Sequence, residues 1–339
     1  MNEIPVSASR ERGPDAPAPV ANLTQQGEVV TTRLGALSVP GGNDLISRFL
    51  REFGEWAWLE CSFVGGLIPE GARVLDGGAY VGTFALGLAE RRPELVVAVE
   101  ANPAVVPLIR HNLQALASDW ATLEHGLLGD GETPVNAPHA THKDNLGSTT
   151  FAAKTDEPDA ADTPAADLPL LSLRTLRLRH GDFDLIKLDV EGFELAVLQA
   201  DAVWLKERKP TLWLECNEDP GVLPLLDFVA GLGYEVHYFA FPSFNPENHR
   251  GNPEPIFALA YEAGLLAVRP GTPVTLPLLH ERTGCDLVQL RDRQHLRECM
   301  WLTPRWGLAE WTALPRSRLL ALCSRLHRGQ EFRRFLTVD

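Results

Sequence analysis

The stretch FDLIKLDVEGFELAVLQA, residues 183–200, passes from an apolar segment into a helical pattern and carries two acids, Asp189 and Glu191, at the changeover. A tight turn at that point needs only Gly192. The two carboxylates therefore ask for a reason beyond chain reversal. A buried strand feeding a helix is the repeating unit of a parallel sheet. Right-handed crossovers bring the carboxyl ends of such strands to one common edge, where ligands bind.

The same unit recurs on both sides of this stretch. ARVLDGG (72–78) reads as a short buried strand and YVGTFALGLAERR (80–92) as the helix after it. ELVVAVEANP (94–103) is a second apolar run, ending in Glu100. Asn102 and Pro103 suit the cap and first turn of a helix carrying Val105, Leu108, Ile109, Asn112, Leu113 and Leu116 at helical intervals. ATLEHGLLGD (121–130) and PTLWLEC (210–216) are further strands, and VLPLLDFVAGLGY (222–234) is a helix stopped by Gly231 or Gly233. YEVHYFAF (234–241) and LLAVRP (265–270) supply closing strands, whereas residues 44–67 show a helical stripe. The pattern predicts an α/β domain over residues 42–268, with a mostly parallel sheet covered by helices on both faces. Residues 131–170, rich in Ala, Pro, Asp and Thr, form a long excursion of the kind that more often serves function than packing. A Pro- and Ala-rich leader over 1–25 reads as disordered, and 269–339 as a mainly helical C-terminal extension.

With 45% hydrophobic and 22% charged residues among 339, the chain has an ordinary globular composition. Its formal charge of -14 argues against a general nucleic-acid binder. Residues 281–339 depart from this balance, with 11 basic and 7 acidic residues, a sum of +4. Cys61, Cys216, Cys285, Cys299 and Cys323 show neither CxxC nor zinc spacing, as expected of reduced thiols in a cytoplasmic protein. No window approaches the roughly 18 apolar residues that span a bilayer.

The turn after the first strand, VLDGGAYVG, holds Asp76, Gly77, Gly78, Tyr80 and Gly82. Glycines there let backbone approach a ligand, and Glu100 at the next strand end can accept bonds from ribose hydroxyls. This is not a GxGxxG pattern. An acid directly before the glycines repels a dinucleotide pyrophosphate and attracts the ammonium of an amino-acid-bearing nucleoside. That favours S-adenosylmethionine over NAD, and with Asn102 these residues make up the expected cofactor set.

VLDGGAYVGTFAL, VEANP, NLGSTTF, IKLDVEGFELAVLQAD and PTLWLECNE occur in the order and spacing of FkbM-type methyltransferases, a family that the chain resembles over about residues 50–260. The resemblance implies a Rossmann-like, seven-stranded class I fold and methylation of a hydroxyl, with sugars, glycans and polyketide alcohols as typical acceptors. It departs from the family at Tyr80, where Asn is usual, so altered contacts around the methionine portion are expected. In that fold Asp189 and Glu191 lie beside the transferable methyl as catalytic candidates. Glu215 and Asn217 close the next strand at the same edge, and Asn145 and Ser148 match the family's N-x-G-S pattern; these four frame the acceptor. Asp189, Glu215 and Asn217 also resemble the oxygen ligands of catechol-type enzymes, which makes a hard divalent ion an alternative, less favoured than a metal-free site.

Other polar residues have plainer readings. Glu194 suits a helix cap, Glu60 can reach the cofactor pocket or stay solvated, and His237 reads as a packed histidine. Asn245, Asn248 and His249 lie in a polar loop, and Trp301, Trp306 and Trp311 read as packing of the extension. Two other classes of function remain at this stage, a binding protein that keeps the fold without catalysis and a nicotinamide oxidoreductase. The acceptor and the oligomeric state are not legible.

Overall fold

The computed structural model describes residues 27–132, 139–142, 145–150, 168–216, 221–257 and 260–303. The expected leader, Asn217, Cys323, Trp306 and Trp311 lie outside them. The chain opens with a hairpin, β1 (Gly27–Thr32) and β2 (Gly35–Pro40), antiparallel with Val30 opposite Leu37. Sequence periodicity from residue 42 onward did not anticipate this hairpin, although Val30, Leu37 and Val39 alternate inward. Helices α1 (Leu45–Phe53) and α2 (Trp58–Gly65) follow, separated where Gly54 takes a left-handed conformation. The single stripe over 44–67 is thus two helices at an angle.

The central sheet begins with β3 (Arg73–Gly77), α3 (Thr83–Gly87) and β4 (Leu95–Glu100). Helix α4 (Val106–Leu116) starts three residues later than Pro103 suggested, and Pro107 occupies its first turn instead. Asn102 makes a local turn there, its side chain accepting the Ala104 N–H. β5 (Ala121–His125) and β6 (Leu127–Gly129) lead into the excursion, which holds β7 (His139–His142) paired antiparallel with β8 (Asn145–Thr150). β9 (Leu170–Ser172) returns parallel to β6. Helix α5 (Leu173–His180), β10 (Leu185–Leu188), α6 (Glu194–Gln199), α7 (Ala202–Arg208) and β11 (Thr211–Glu215) come next. Helix α8 (Val222–Gly231), β12 (Glu235–Pro242) and β13 (Tyr261–Val268) complete the αβ alternation, and α9 (Leu278–Arg282), β14 (Asp286–Gln289) and α10 (Arg293–Leu302) follow.

The large sheet runs β14-β12-β13-β11-β10-β3-β4-β5. β5, β4, β3, β10 and β11 are parallel neighbours, while β13 is antiparallel to both β11 and β12. Seven of the eight strands form the expected Rossmann-like class I sheet. The eighth, β14, comes from residues beyond 268 and pairs antiparallel with β12, so part of the extension continues the sheet. β4 and β5 are added on one side of β3 and β10 and β11 on the other, so strand order reverses between β3 and β10 and defines the switch point at which such folds bind ligands.

Strand alternation sorts the core into two layers. Leu75, Val97, Ile186, Leu188, Leu212 and Leu214 pack on one face beneath α5 to α8 and α10. Val74, Val96, Leu185, Trp213, Leu266 and Phe239 face α1 to α4 and the hairpin. On this second face Phe63 of α2 stacks on Phe239 at 4.1 Å. Cys61, Cys216, Cys285 and Cys299 are buried, and no helix among the described residues is long and apolar enough to cross a membrane.

One buried acid joins the N-terminal elements to the distal loop. Glu55 accepts two bonds from Arg33 at 2.9 and 2.7 Å, one from the Asn245 amide at 2.8 Å and one from the His249 N–H at 2.9 Å. Asn248 bonds the carbonyls of Asn245 and Asn252. The polar loop is therefore held by its own asparagines, and His237 is the packed strand residue expected of it. Because Glu55 is the hub for three separate segments, Glu55→Ala is expected to lower folding stability by about 2–4 kcal/mol. Urea denaturation with an unchanged slope checks this.

Candidate functional site

Backbone packing at the switch point puts the two strand-end turns in contact. Gly78 has φ +74°, and a Cβ on it would lie 1.8 Å from the carbonyl oxygen of Asp189. No side chain fits there. The N–H groups of Gly78 and Ala79 both bond the Val99 carbonyl, at 3.1 and 3.0 Å, and the Asp189 N–H bonds the Gly77 carbonyl at 3.1 Å. The turns after β3 and β10 and the end of β4 are thereby one unit. Gly82 then enters α3 with φ +89°.

The acid at the end of β4 completes that unit. Glu100 accepts the Tyr80 N–H at 2.8 Å on one oxygen and the Asn102 N–H at 2.7 Å on the other. Burial pushes its carboxyl up to about 7, against the pull of those two N–H groups. Tyr80 has φ +51°, and its hydroxyl donates to Asp44 at 2.8 Å, where the same oxygen caps α1 through the Ser47 N–H. The phenol is thus turned toward α1. Burial, and then the Asp44 charge, push its ionisation well up.

Asp76, expected to face the cofactor's ammonium, is fully buried and lies 3.3 Å from the Lys187 ammonium. Lys187 also approaches Asp189 at 3.4 Å and donates to the Gly78 carbonyl at 3.1 Å. Burial opposes its charge, but Asp189, Asp76 and Glu60 outweigh that cost and raise the ammonium's pKa. The sequence did signal this lysine. It interrupts a four-residue buried strand and shares a face with Asp189 by the two-residue period.

Strand pairing explains how the rest of the acidic edge assembles. Asp76, Lys187 and Trp213 form one row across β3, β10 and β11. Trp213 donates its indole N–H to Glu60 of α2 at 2.5 Å. One step further along, Asp189 and Glu215 leave the ends of adjacent strands side by side. Burial, then the charges of Asp189, Glu191 and Glu194, push Glu215 well up. Glu191, at φ +53°, is pushed up to about 7 by burial and then by Asp189, Glu194 and Glu262. Glu194 caps the turn, accepting N–H bonds from Val190 at 2.9 Å and Gly192 at 3.1 Å.

Of the predicted residues, Asp76, Gly77, Gly78, Tyr80, Gly82, Glu100, Asn102, Asp189, Glu191 and Glu215 therefore gather around the switch point. Asn145 and Ser148 lie on β8, described here by backbone alone, and Asn217 lies outside the described residues. No group of three His, Cys, Asp or Glu side chains disposed to hold a metal occurs among the described residues.

Glu60, Glu100 and Glu191 each stand at about 7 against an ordinary 4.5. The folded chain then holds more protons than the unfolded chain between those values, so stability falls as pH rises through the window. For buried Glu100 the shift corresponds to about 3 kcal/mol. The melting temperature is expected to fall between about pH 5 and pH 8, and Glu100→Gln to flatten the fall. A melting temperature that rises across this range would contradict these shifts.

A family model described as methyltransferase FkbM domain matches residues 76–244, which hold this site except for Glu60 and Asp44. No curated protein matches the chain. Among solved structures, methyltransferase FkbM from Methylobacillus flagellatus KT is 17% identical with a TM-score of 0.41, over 65% of this chain and 50% of that one. This chain thus spans about half the length of that relative. A SAM-dependent O-methyltransferase from Thermotoga maritima is 16% identical with a TM-score of 0.38, over 72% and 78% of the two chains. An O-methyltransferase from Bacillus cereus, in complex with SAH, is 15% identical with a TM-score of 0.36, over 62% and 80%. Through residues 76–244, the chain belongs to the FkbM methyltransferase family.

Proposed function

We propose that this methyltransferase moves a methyl group from S-adenosylmethionine to a hydroxyl of a sugar, a glycan or a polyketide-type metabolite. The observation that carries this reading is the acidic edge of Asp189 and Glu215, set directly against the glycine turn by the Gly78–Asp189 contact. The donor set fits the nucleoside. Glu100 ends the strand beside the turn, where a carboxylate meets ribose hydroxyls. Gly78 and Gly82 keep the turn free of side chains, and Asn102 lies next to Glu100 with its N–H on that acid. With its charge held by Lys187, Asp76 supports the turn from beneath.

S-adenosylmethionine, when bound, supplies a methyl group activated by a sulfonium. The chain's own residues then have to hold and deprotonate the acceptor. Asp189 is the proposed base at its hydroxyl, a role worth on the order of 100-fold or more in rate. Glu215, whose carboxyl burial and then the Asp189 charge push well up, is the proposed neighbour that orients it. Glu191, titrating near neutrality, is the second catalytic candidate. Asn145, Ser148, Glu215 and Asn217 are proposed to frame the acceptor, and β13 and the α2 acid Glu60 border the same edge.

Calorimetric titration with S-adenosylhomocysteine, run beside NAD, tests the cofactor. Binding of the first compound alone is expected, and binding of NAD alone would reverse the assignment. Glu100→Ala is expected to weaken that binding by about tenfold or more, the scale of hydrogen bonds to a charged acceptor. Asp189→Asn is expected to bind the compound and lose about 100-fold or more in turnover on the acceptor found by a hydroxyl screen. Unchanged turnover would remove Asp189 from the chemistry.

A further inference from the structure

Lys187 has no place in the chemistry proposed above, yet it is enclosed at the switch point, only 5% exposed. Its ammonium stands between three groups that belong to different parts of the site. Asp76 lies at 3.3 Å on β3, Asp189 at 3.4 Å at the end of β10, and the carbonyl of Gly78 accepts its hydrogen bond at 3.1 Å. The Gly78 contact is a hydrogen bond, and those to Asp76 and Asp189 are ion pairs. The Phe84 ring, 5.8 Å away, walls it from α3. Trp213, its register partner on β11, is itself fixed to Glu60.

We infer that Lys187 is a positioning residue that holds the cofactor turn and the acceptor-side carboxylate in register, an inference that rests on the methyl-transfer reading. The plainer role for a buried lysine is neutralising a buried acid, here Asp76. That role needs one contact and is indifferent to Gly78 and Asp189. A buried ion pair is also replaceable by neutral groups of similar shape with little loss of stability. The hydrogen bond to Gly78 is different in kind. It fixes the carbonyl of the residue whose α-carbon touches the Asp189 peptide, so the same ammonium sets both the backbone of the cradle and the side chain of the base.

The two roles separate in a double-mutant cycle. Lys187→Met strands Asp76 and is expected to lower the melting temperature and weaken S-adenosylhomocysteine binding by about tenfold or more. Adding Asp76→Asn removes the stranded charge. In the double variant the melting temperature is expected to recover while the affinity stays at the Lys187→Met level. Should Lys187→Met fail to fold, the double variant is compared with Asp76→Asn alone, so that the affinity lost is that of Lys187. Affinity that recovers together with the melting temperature would reduce Lys187 to a counter-ion and overturn the inference. A wild-type protein that does not bind the compound would instead overturn the methyl-transfer reading, before any variant is compared.

Discussion

The absence of a side chain at residue 78 is the constraint from which the site follows. A peptide oxygen occupies the volume that a Cβ would fill, so β3 and β10 come together at their ends as closely as backbone allows. Parallel strands on either side of a switch point ordinarily open into a crevice. Here the floor of that crevice is closed by the Gly78–Asp189 contact, and the groups above it inherit their positions from strand register. Asp76, Lys187 and Trp213 fall in one row, with Asp189 and Glu215 one step beyond.

That geometry crowds acids around a single ammonium. Glu60, Asp76 and Asp189 all act on Lys187, and each of the buried carboxyls is penalised first by loss of water. The cluster responds by holding protons. Burial and the neighbouring acids push Glu215 well up, and Glu60 and Glu191 up to about 7.

The sheet was legible because its signals are local. Apolar runs ending in Gly77, Glu100, Asp189 and Glu215 are strands whose ends must coincide once the crossovers are right-handed. Long-range partners were not legible in the same way. Asp76 looked like a ligand for an ammonium because its neighbours in sequence are glycines, whereas its partner lies 111 residues away on β10. The N-cap at Asn102 failed for a similar reason. Glu100 takes the Asn102 N–H and Asn102 turns back on Ala104, so the helix starts only at Val106. The first hairpin escaped because its inward residues are few and its stability comes from α4, where Asn112 bonds the Ser38 backbone in both directions.

Strain points to the same place. Among the described residues, five other than glycine have positive φ, and Ala57, Arg92 and Lys209 of these cap helices. The remaining two, Tyr80 and Glu191, are in the turns that follow β3 and β10. Each such conformation costs on the order of 1 kcal/mol or more, and Asn tolerates it better than Tyr. The FkbM pattern has Asn at the first of these positions, so Tyr80 is the harder choice for its backbone. What it gains is reach, since an Asn side chain is too short to extend from this turn as far as a phenol does. The Tyr80 hydroxyl bonds the acid that caps α1, so α1 and the glycine turn after β3 are tied together by a single side chain. The departure from the family's residue thus exchanges backbone ease for a tether between the N-terminal helices and the floor of the site.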